Sequence, residues 1–240
     1  MQKKKPILLM DLDNTILDFD TQEAVAITRM LAERGVEATD ERLAVFRRIN
    51  AQHWERLENG TMTRQEVLVG RFSVFFETLG LQLDAQSAQD SYENYLCQGH
   101  YFVTGAEALL ETLYQDNVLY IISNGNTRVQ DARLKSSGIA RYFKDIFVSE
   151  TMDCDKPSRE YFSLCFSRIP DFAPERALVI GDSLTSDIRG GMNMGLPTCW
   201  FNPKHSPQRD GFTPDYTVYS LDEIPGLIHI HFDRGDKLDE

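Results

Sequence analysis

Short apolar runs recur along the chain without alternation, and each is followed by small, polar or charged residues. They cover residues 7–10, 118–122, 146–148, 177–180 and 198–201, with a last short run at 217–218. Unbroken apolar runs of this length are typical of strands that are covered on both faces of a parallel sheet. Helical patterns lie between the runs from residue 101 onward, and this alternation predicts an α/β fold.

Residues 20–100 differ in character, because they show helical periodicity and almost no strand signal. Gly35 is placed to end a first helix, and Asn59 and Gly60 end a second that starts near Asp40. A third helix begins at Thr63, where Thr63 and Glu66 form a capping-box pattern, and a fourth covers about 84–97. We therefore predict a core of residues 1–17 and 101–230, a helical insertion at 18–100, and a frayed tail at 231–240.

Composition and charge exclude several classes of partner. The net charge of −12 and the pI of about 4.9 argue against binding to nucleic acid or to an anionic membrane surface. The four cysteines have no CxxC spacing, so they are expected to be reduced thiols. The apolar run before Asp11 is too short for a signal peptide and no stretch reaches membrane-spanning length, so we predict a cytoplasmic protein.

Candidate chemistry begins where the first strand ends, at Asp11 and Asp13. In extended backbone, residues two apart point to the same side, so both carboxylates can reach one small object at the strand's carboxyl edge. Two close carboxylates repel each other unless a cation or a shared proton lies between them. Taken alone, the Asp-Leu-Asp-Asn-Thr segment is equally typical of a turn or a helix cap.

Two later strands also end in polar clusters. Ser123, Asn124 and Gly125 follow one strand, and Gly181-Asp182-Ser183 with Asp187 follows another; each cluster alone could be a simple turn or a helix cap. If these strands are parallel neighbours of the first, all three clusters meet at one edge of the sheet.

A metal ion and a phosphate group would suit such an edge. Asp11, Asp13, Asp182 and Asp187 form an acidic group that fits Mg²⁺, whereas Ca²⁺ is disfavoured because the chain has no EF-hand loop. Ser123 and the backbone N–H groups of Asn124 and Gly125 could hold phosphate oxygens. Lys156 would supply a cation, and Pro157 after it is placed as if in the first turn of a helix.

Taken in order, these segments resemble the four motifs of the haloacid dehalogenase (HAD) superfamily, whose fold is a Rossmann-like parallel sheet with an inserted α-helical cap. The resemblance implies that Asp11 is a nucleophile that forms an aspartyl-phosphate and that Asp13 is the general acid and base. It also implies Mg²⁺ ligation by Asp11, Asp13 through its carbonyl, and Asp182. Asp187 would bind through water or orient Lys156.

The second carboxylate, Asp13, favours a phosphatase, because true dehalogenases of the superfamily lack it. Residues 50–54, 58–63, 70–72 and 186–200 resemble the bacterial pyrimidine 5'-nucleotidases of this superfamily, which act on nucleoside monophosphates such as UMP and dTMP. In the predicted cap, Trp54, Arg71 and Phe72 are candidates to contact a base or sugar. Phe19 could line the entrance.

Alternatives remain open at this point. A sugar-phosphate or phosphoglycolate-type phosphatase would use the same core with a similar cap. A non-catalytic phosphate-sensing module would also combine an Asp cluster, a Ser and a Lys on an α/β sheet, although the second carboxylate and the large insertion argue against it. The expected partner is a small phosphate ester, and the protein would be a monomer or a homodimer.

Overall fold

The computed structural model describes residues 4–233, and its centre is a parallel sheet of six strands. The strands are β1 (Ile7–Met10), β2 (Val118–Ser123), β3 (Phe143–Val148), β4 (Ala177–Gly181), β5 (Thr198–Phe201) and β6 (Tyr216–Val218). They lie in the order β3-β2-β1-β4-β5-β6, and every neighbouring pair is parallel. The predicted α/β fold with a parallel sheet is confirmed.

Helices cover both faces of the sheet and form a separate layer. The four that follow β1 are α1 (Phe19–Glu33), α2 (Asp40–Glu58), α3 (Arg64–Thr78) and α4 (Ala85–Leu96). We call these four helices the helical insert. The later ones are α5 (Ala106–Asp116), α6 (Thr127–Ser137), α7 (Arg159–Arg168), α8 (Arg189–Met194) and α9 (Ile224–Asp233). Among the described residues, no helix combines the length and the apolar character needed to cross a membrane.

Strand β1 lies in the middle of the sheet and is buried on both sides. Leu8 and Met10 pack with residues of α5 and α9, and Ile7 and Leu9 pack against α7 on the opposite face. Such two-sided burial explains why the sequence shows an unbroken apolar run here instead of an alternating one. It also fixes the strand's carboxyl end, from which Asp11 projects.

The helical insert has an aromatic core of its own. Phe46, Phe72, Phe75 and Tyr92 are fully buried, and the Phe46 and Phe72 ring centroids lie 5.3 Å apart. The predicted capping box is present at the start of α3: Thr63 accepts a hydrogen bond from the Glu66 backbone, and the Glu66 side chain accepts one from the Thr63 backbone.

After β4 the chain forms a π-helical turn, Leu184–Ile188, which leads into α8. Two local expectations need correction. Pro157 precedes the N-cap Ser158 and so lies outside the first turn of α7. The tail expected to fray from residue 231 is helical through Asp233, where α9 ends. Residues 234–240 of that tail lie outside the described residues.

Candidate active site

A buried lysine joins the ends of β1 and β4. The Lys156 Nζ donates hydrogen bonds to Asp11 Oδ1 and Asp187 Oδ1, each at 2.7 Å, and to the Ile122 carbonyl at 2.9 Å. Lys156 is 1% exposed and Asp187 is 0% exposed, so little water screens these ion pairs. The structure thus brings together three of the side chains that the sequence placed at one sheet edge.

Burial and charge set the proton affinities of this site. Removal from water raises the pKa of Asp11 to about 7, because it outweighs the attraction of Lys156 and is reinforced by Asp187 and Asp13. Burial would lower the pKa of Lys156, but the attraction of Asp11 and Asp187 prevails and raises it above its ordinary value. The pKa of Asp182 is also raised well above its usual range, by burial and by its acidic neighbours.

Several carboxyl groups are buried around one lysine here, so the site has an excess of negative charge when they are ionised. Asp11, Asp182 and Asp187 each offer a carboxylate oxygen, and the three oxygens lie within 4.8 Å of one another. Asp11 Oδ2 is buried and has no hydrogen-bond partner among residues 4–233. Hard oxygen ligands with one unpaired buried oxygen suit Mg²⁺, so this acidic trio, which we call the sheet-edge cluster, fits the expected metal.

Helix α6 holds the second carboxylate, Asp13. The Gln130 Nε2 donates to Asp13 Oδ2 at 2.6 Å and to Ser123 Oγ at 2.9 Å, and Arg133 forms an ion pair with Asp13 Oδ1. Arg133 is fully buried, and its guanidinium lies 5.3 Å from the centre of the Phe19 ring. The sequence reasoning did not identify Gln130 or Arg133. Their positions three residues apart on one helix face, directly after the Ser123 loop, were the available signal.

The loop after β2 is braced by side chains. Ser123 is fully buried, and its Oγ accepts the Gly125 N–H at 3.0 Å. Asn124 spans two loops, since its Nδ2 donates to the Lys156 carbonyl at 2.9 Å and its Oδ1 accepts the Lys156 N–H at 2.8 Å. Asn124 therefore fixes the backbone of Lys156, while the Gly125 N–H that was expected to bind phosphate is turned toward Ser123.

Gly181, at the end of β4, is required by the close approach of Asp187. A Cβ at this position would lie 2.2 Å from Asp187 Oδ2, far inside van der Waals contact. The π-helical turn then directs the Asp187 carboxylate back toward the strand end, where Oδ2 accepts the Ser183 N–H at 3.1 Å.

A cavity of about 460 Å³ lies between the sheet edge and the helical insert. The sheet-edge cluster, Asp13 and Lys156 line one part of it, and Phe19, Trp54 and Arg71 of the insert line another. Its volume is that of a typical small-molecule site. The expectation for Phe72 is wrong: this side chain is fully buried in the aromatic core of the insert and does not line the cavity.

Four carboxylates of the insert also line the cavity, and two of them, Glu23 and Glu58, have raised pKa values and were missed in the sequence. Burial raises the pKa of Glu58 to about 7. A hydrogen bond from Thr185 opposes this rise, and repulsion from Asp187 adds to it. Burial likewise raises the pKa of Glu23 to about 7, against the attraction of Arg71. Both residues lie in helices whose other charged side chains are mostly exposed, so the sequence pattern did not distinguish them.

Comparison with known proteins places the fold and the motifs in one family. The family model of haloacid dehalogenase-like hydrolases matches residues 6–195. The chain is 40% identical to the HAD-hydrolase YfnB of Bacillus subtilis, over 95% of this chain and 97% of YfnB. A crystal structure of YfnB bound to magnesium, described as revealing interdomain movement, matches with a TM-score of 0.90 over 94% of this chain and 99% of that one.

Two further relatives carry names that state a substrate class. The chain is 38% identical to the pyrimidine 5'-nucleotidase PynA of Streptococcus pneumoniae, over 90% of this chain and 92% of PynA. It is 30% identical to the pyrimidine 5'-nucleotidase YjjG of Escherichia coli, over 93% of this chain and 98% of YjjG. With a family model that spans most of the chain and relatives that match it nearly end to end, the chain belongs to the haloacid dehalogenase-like hydrolases.

Proposed function

We propose that this hydrolase is a magnesium-dependent phosphomonoesterase that acts on pyrimidine nucleoside monophosphates through Asp11. The observation that carries the proposal is the position of Asp11, which is ion-paired with Lys156 and lies beside Asp182, Asp187 and Asp13 in one cavity. A carboxylate nucleophile, a fixed cation and a second carboxylate are what phosphoryl transfer by covalent catalysis requires.

In the first half of the reaction, an Asp11 carboxylate oxygen forms a bond to phosphorus as the bond between phosphorus and the ester oxygen breaks. Asp13 donates its proton to the leaving alcohol, which then carries no charge. Lys156 offsets the negative charge of the phosphoryl oxygens, and the Ser123 hydroxyl donates to one of them. The product of this half is an aspartyl-phosphate at Asp11.

In the second half, Asp13 takes a proton from a water molecule whose oxygen forms a new bond to phosphorus. The bond between phosphorus and Asp11 breaks, which regenerates the carboxylate and releases inorganic phosphate. Gln130 and Arg133 hold Asp13 in one orientation throughout, so the same carboxyl group can serve both halves.

The metal would be held by Asp11, Asp182 and the Asp13 carbonyl, with Asp187 in support through Lys156. Bound there, Mg²⁺ supplies positive charge that stabilises the phosphoryl group during transfer. A cation at this position also offsets the burial cost that raises the pKa of Asp11, which favours the ionised nucleophile.

The substrate class is supported by two observations. PynA and YjjG are named as pyrimidine 5'-nucleotidases, and the similarity to them spans the helical insert as well as the core. The insert lines the cavity with Phe19, Trp54 and the polar group around Arg71, which could contact a base and a sugar. We propose that the insert acts as a cap that excludes water from the phosphate.

A screen of phosphate esters with and without Mg²⁺ tests the proposal. UMP, dUMP and dTMP are expected to be hydrolysed with kcat/KM at least about tenfold above ribose 5-phosphate and phosphoglycolate, and EDTA should abolish turnover. Faster hydrolysis of sugar phosphates would instead favour the sugar-phosphate phosphatase. No hydrolysis of any ester would favour the phosphate-sensing module. Cytoplasmic location and a monomeric or homodimeric state stay predictions.

A further inference from the structure

The insert end of the cavity contains a carboxyl oxygen without a hydrogen-bond partner, on a side chain that is otherwise buried. Glu23 is 4% exposed and lines the cavity. Its Oε1 accepts hydrogen bonds from Asn50 Nδ2 at 2.6 Å and from Tyr92 Oη at 3.4 Å. Within residues 4–233, no hydrogen bond reaches the other oxygen, Oε2. An acceptor that lines a cavity and has no partner in the protein is available to a donor group of a ligand.

The atoms around Glu23 are held in one arrangement. Arg71 donates from Nη1 to Asn50 Oδ1 at 2.7 Å and from Nη2 to Gln89 Oε1 at 2.8 Å. Because a guanidinium can only donate, the Asn50 oxygen faces Arg71 and its amide nitrogen faces Glu23. Arg71, which the sequence placed against substrate, therefore positions Asn50. We call Glu23, Asn50 and Arg71 the insert cluster.

This arrangement defines what the cavity can bind at that end. Glu23 Oε2 offers an acceptor. Asn50 also lines the cavity, and its Nδ2, which donates one hydrogen to Glu23 Oε1, has a second hydrogen left to donate. The complementary ligand carries an N–H next to a carbonyl. The charges that act on Glu23 are those of Arg71, Asp20 and Arg47, and burial raises its pKa to about 7, so an N–H donor would also relieve the cost of ionising it.

We propose that Glu23 is a specificity-determining residue that accepts the N3–H of a uracil or thymine base, with Asn50 donating to the neighbouring carbonyl. The inference rests on the proposed function, and it adds which pyrimidine bases are selected and by which atom. Uracil and thymine carry N3–H between two carbonyls, whereas cytosine has a lone pair at N3 that would oppose Oε2 once Glu23 is ionised. UMP and CMP are therefore compared at about pH 8, above the Glu23 pKa of about 7. A site built to hydrogen-bond an N–H strongly rejects an analogue that lacks it.

Methylation of the base tests the inference on the unmodified protein. N3-methyl-UMP keeps the sugar and phosphate of UMP but replaces the N3–H by a methyl group. We expect kcat/KM for N3-methyl-UMP to be at least about 100-fold below that for UMP. Equal hydrolysis of the two would overturn the role of Glu23.

Replacement of Glu23 by Gln sharpens the test. Asn50 and Tyr92 both donate to one oxygen of Glu23, so Glu23→Gln should keep its oxygen there and place its NH₂ at the Oε2 position. A donor would then face the base, and the kcat/KM ratio of UMP to CMP should fall at least about tenfold. The matched control is Glu33→Gln, on the exposed side of α1, which should keep the wild-type ratio. An unchanged ratio in folded Glu23→Gln contradicts the inference.

Failure of this inference can be distinguished from failure of the proposed function. If UMP is hydrolysed no faster than ribose 5-phosphate, the proposed function and the inference both fall. If UMP is preferred but N3-methyl-UMP is hydrolysed equally well, the nucleotidase proposal stands and only the inference falls. The comparison of UMP with its methyl analogue needs no variant, so it decides the matter even if Glu23→Gln does not fold.

Discussion

Arg133 forms an ion pair with Asp13 although its own side chain has no exposed surface. The two residues lie 120 positions apart, and the parallel pairing of β1 with β2 brings them together, because α6 starts at the carboxyl end of β2. The contact runs through Nη1 of the buried guanidinium, and this directed, charged hydrogen bond limits the orientations that Asp13 can adopt. The catalytic carboxylate proposed here is thus supported from a helix outside the family motifs.

Replacement of Arg133 by Lys should slow the reaction without removing the positive charge. Arg133 Nη1 makes both the contact with Asp13 and the hydrogen bond to Gln130 Oε1, and the shorter Lys side chain cannot place its nitrogen at that position. Misplacement of Asp13 is expected to lower kcat for UMP by about 10- to 100-fold, with a smaller effect on KM. Steady-state kinetics measure the effects on kcat and on KM separately. Arg141→Lys, an exposed arginine of the same chain, is the control and should keep wild-type kcat.

Replacement of Asp11 by Asn should abolish hydrolysis and leave the fold intact. Asn is close in size but is a far poorer nucleophile toward phosphorus, so kcat should fall by at least about 1,000-fold. Circular dichroism should show the wild-type spectrum, because Lys156 keeps its ion pair with Asp187. Undiminished phosphatase activity in Asp11→Asn would refute the nucleophile assignment.

Replacement of Gly181 by Ala should displace Asp187. The added Cβ would collide with the Asp187 carboxylate, and the shift should cost about 1–3 kcal/mol in the free energy of unfolding, with a loss of Mg²⁺-dependent activity. Gly226→Ala is the matched control: it adds the same methyl group in α9, where no atom lies within 4 Å. Urea denaturation of both variants checks the difference, and equal stability would contradict the packing argument.

The raised pKa of Glu23 should make the stability of the protein depend on pH. Its folded-state pKa of about 7 lies above the ordinary 4.5, so its contribution to stability is full below pH 4.5 and is lost as the pH rises through 7. Between pH 5 and pH 8 this loss is about 2 kcal/mol. Because Gln does not titrate, the Glu23→Gln variant should not lose this stability. The difference in unfolding free energy, variant minus wild type, should therefore increase by about that amount from pH 5 to pH 8. Denaturation of both proteins at the two pH values measures it.

Arg64, at the start of α3, joins the helical insert to the core. Its Nη1 donates to the carbonyls of Asn124 and Gly125 at 3.2 and 3.3 Å, and its Nη2 contacts Ser149 and Asp155. Loss of these contacts in Arg64→Ala should weaken closure of the insert over the site and raise KM for UMP about tenfold.

The control for Arg64 is Arg56→Ala, which removes an exposed arginine from α2. Steady-state kinetics on both variants should separate closure from a general effect of charge. An equal KM for the two variants would contradict a closing role for Arg64.

The sheet and its polar edge were predictable because each strand is a short apolar run whose end is marked by chemistry. Asp11 and Asp187 could be assigned to one site on the condition that their strands are parallel neighbours, which they are, and Lys156 was added because an acidic phosphate site needs a cation. The positions of the helices followed from their capping residues, as at Thr63. The local pattern therefore determined most of the fold.

The remaining details depend on contacts between distant segments. Gln130 and Arg133 look like surface residues in the sequence, and only the approach of α6 to β1 shows that they are buried. Phe72 and Arg71 are adjacent in α3, yet one belongs to the aromatic core and the other lines the cavity. Helical periodicity predicts which face of a helix is apolar, but it cannot predict which other segment the polar residues beside that face will contact.

The helical insert contributes to the cavity from one unbroken stretch of chain, residues 19–96, whereas the sheet-edge cluster is assembled from strands far apart in sequence. Under the proposed function, substitutions within that stretch would alter which ester is accepted while the groups assigned to the phosphate chemistry stay in place. Selection on substrate choice and selection on chemistry act on separate parts of the gene, and exchange of this one segment between relatives offers a route to new substrates.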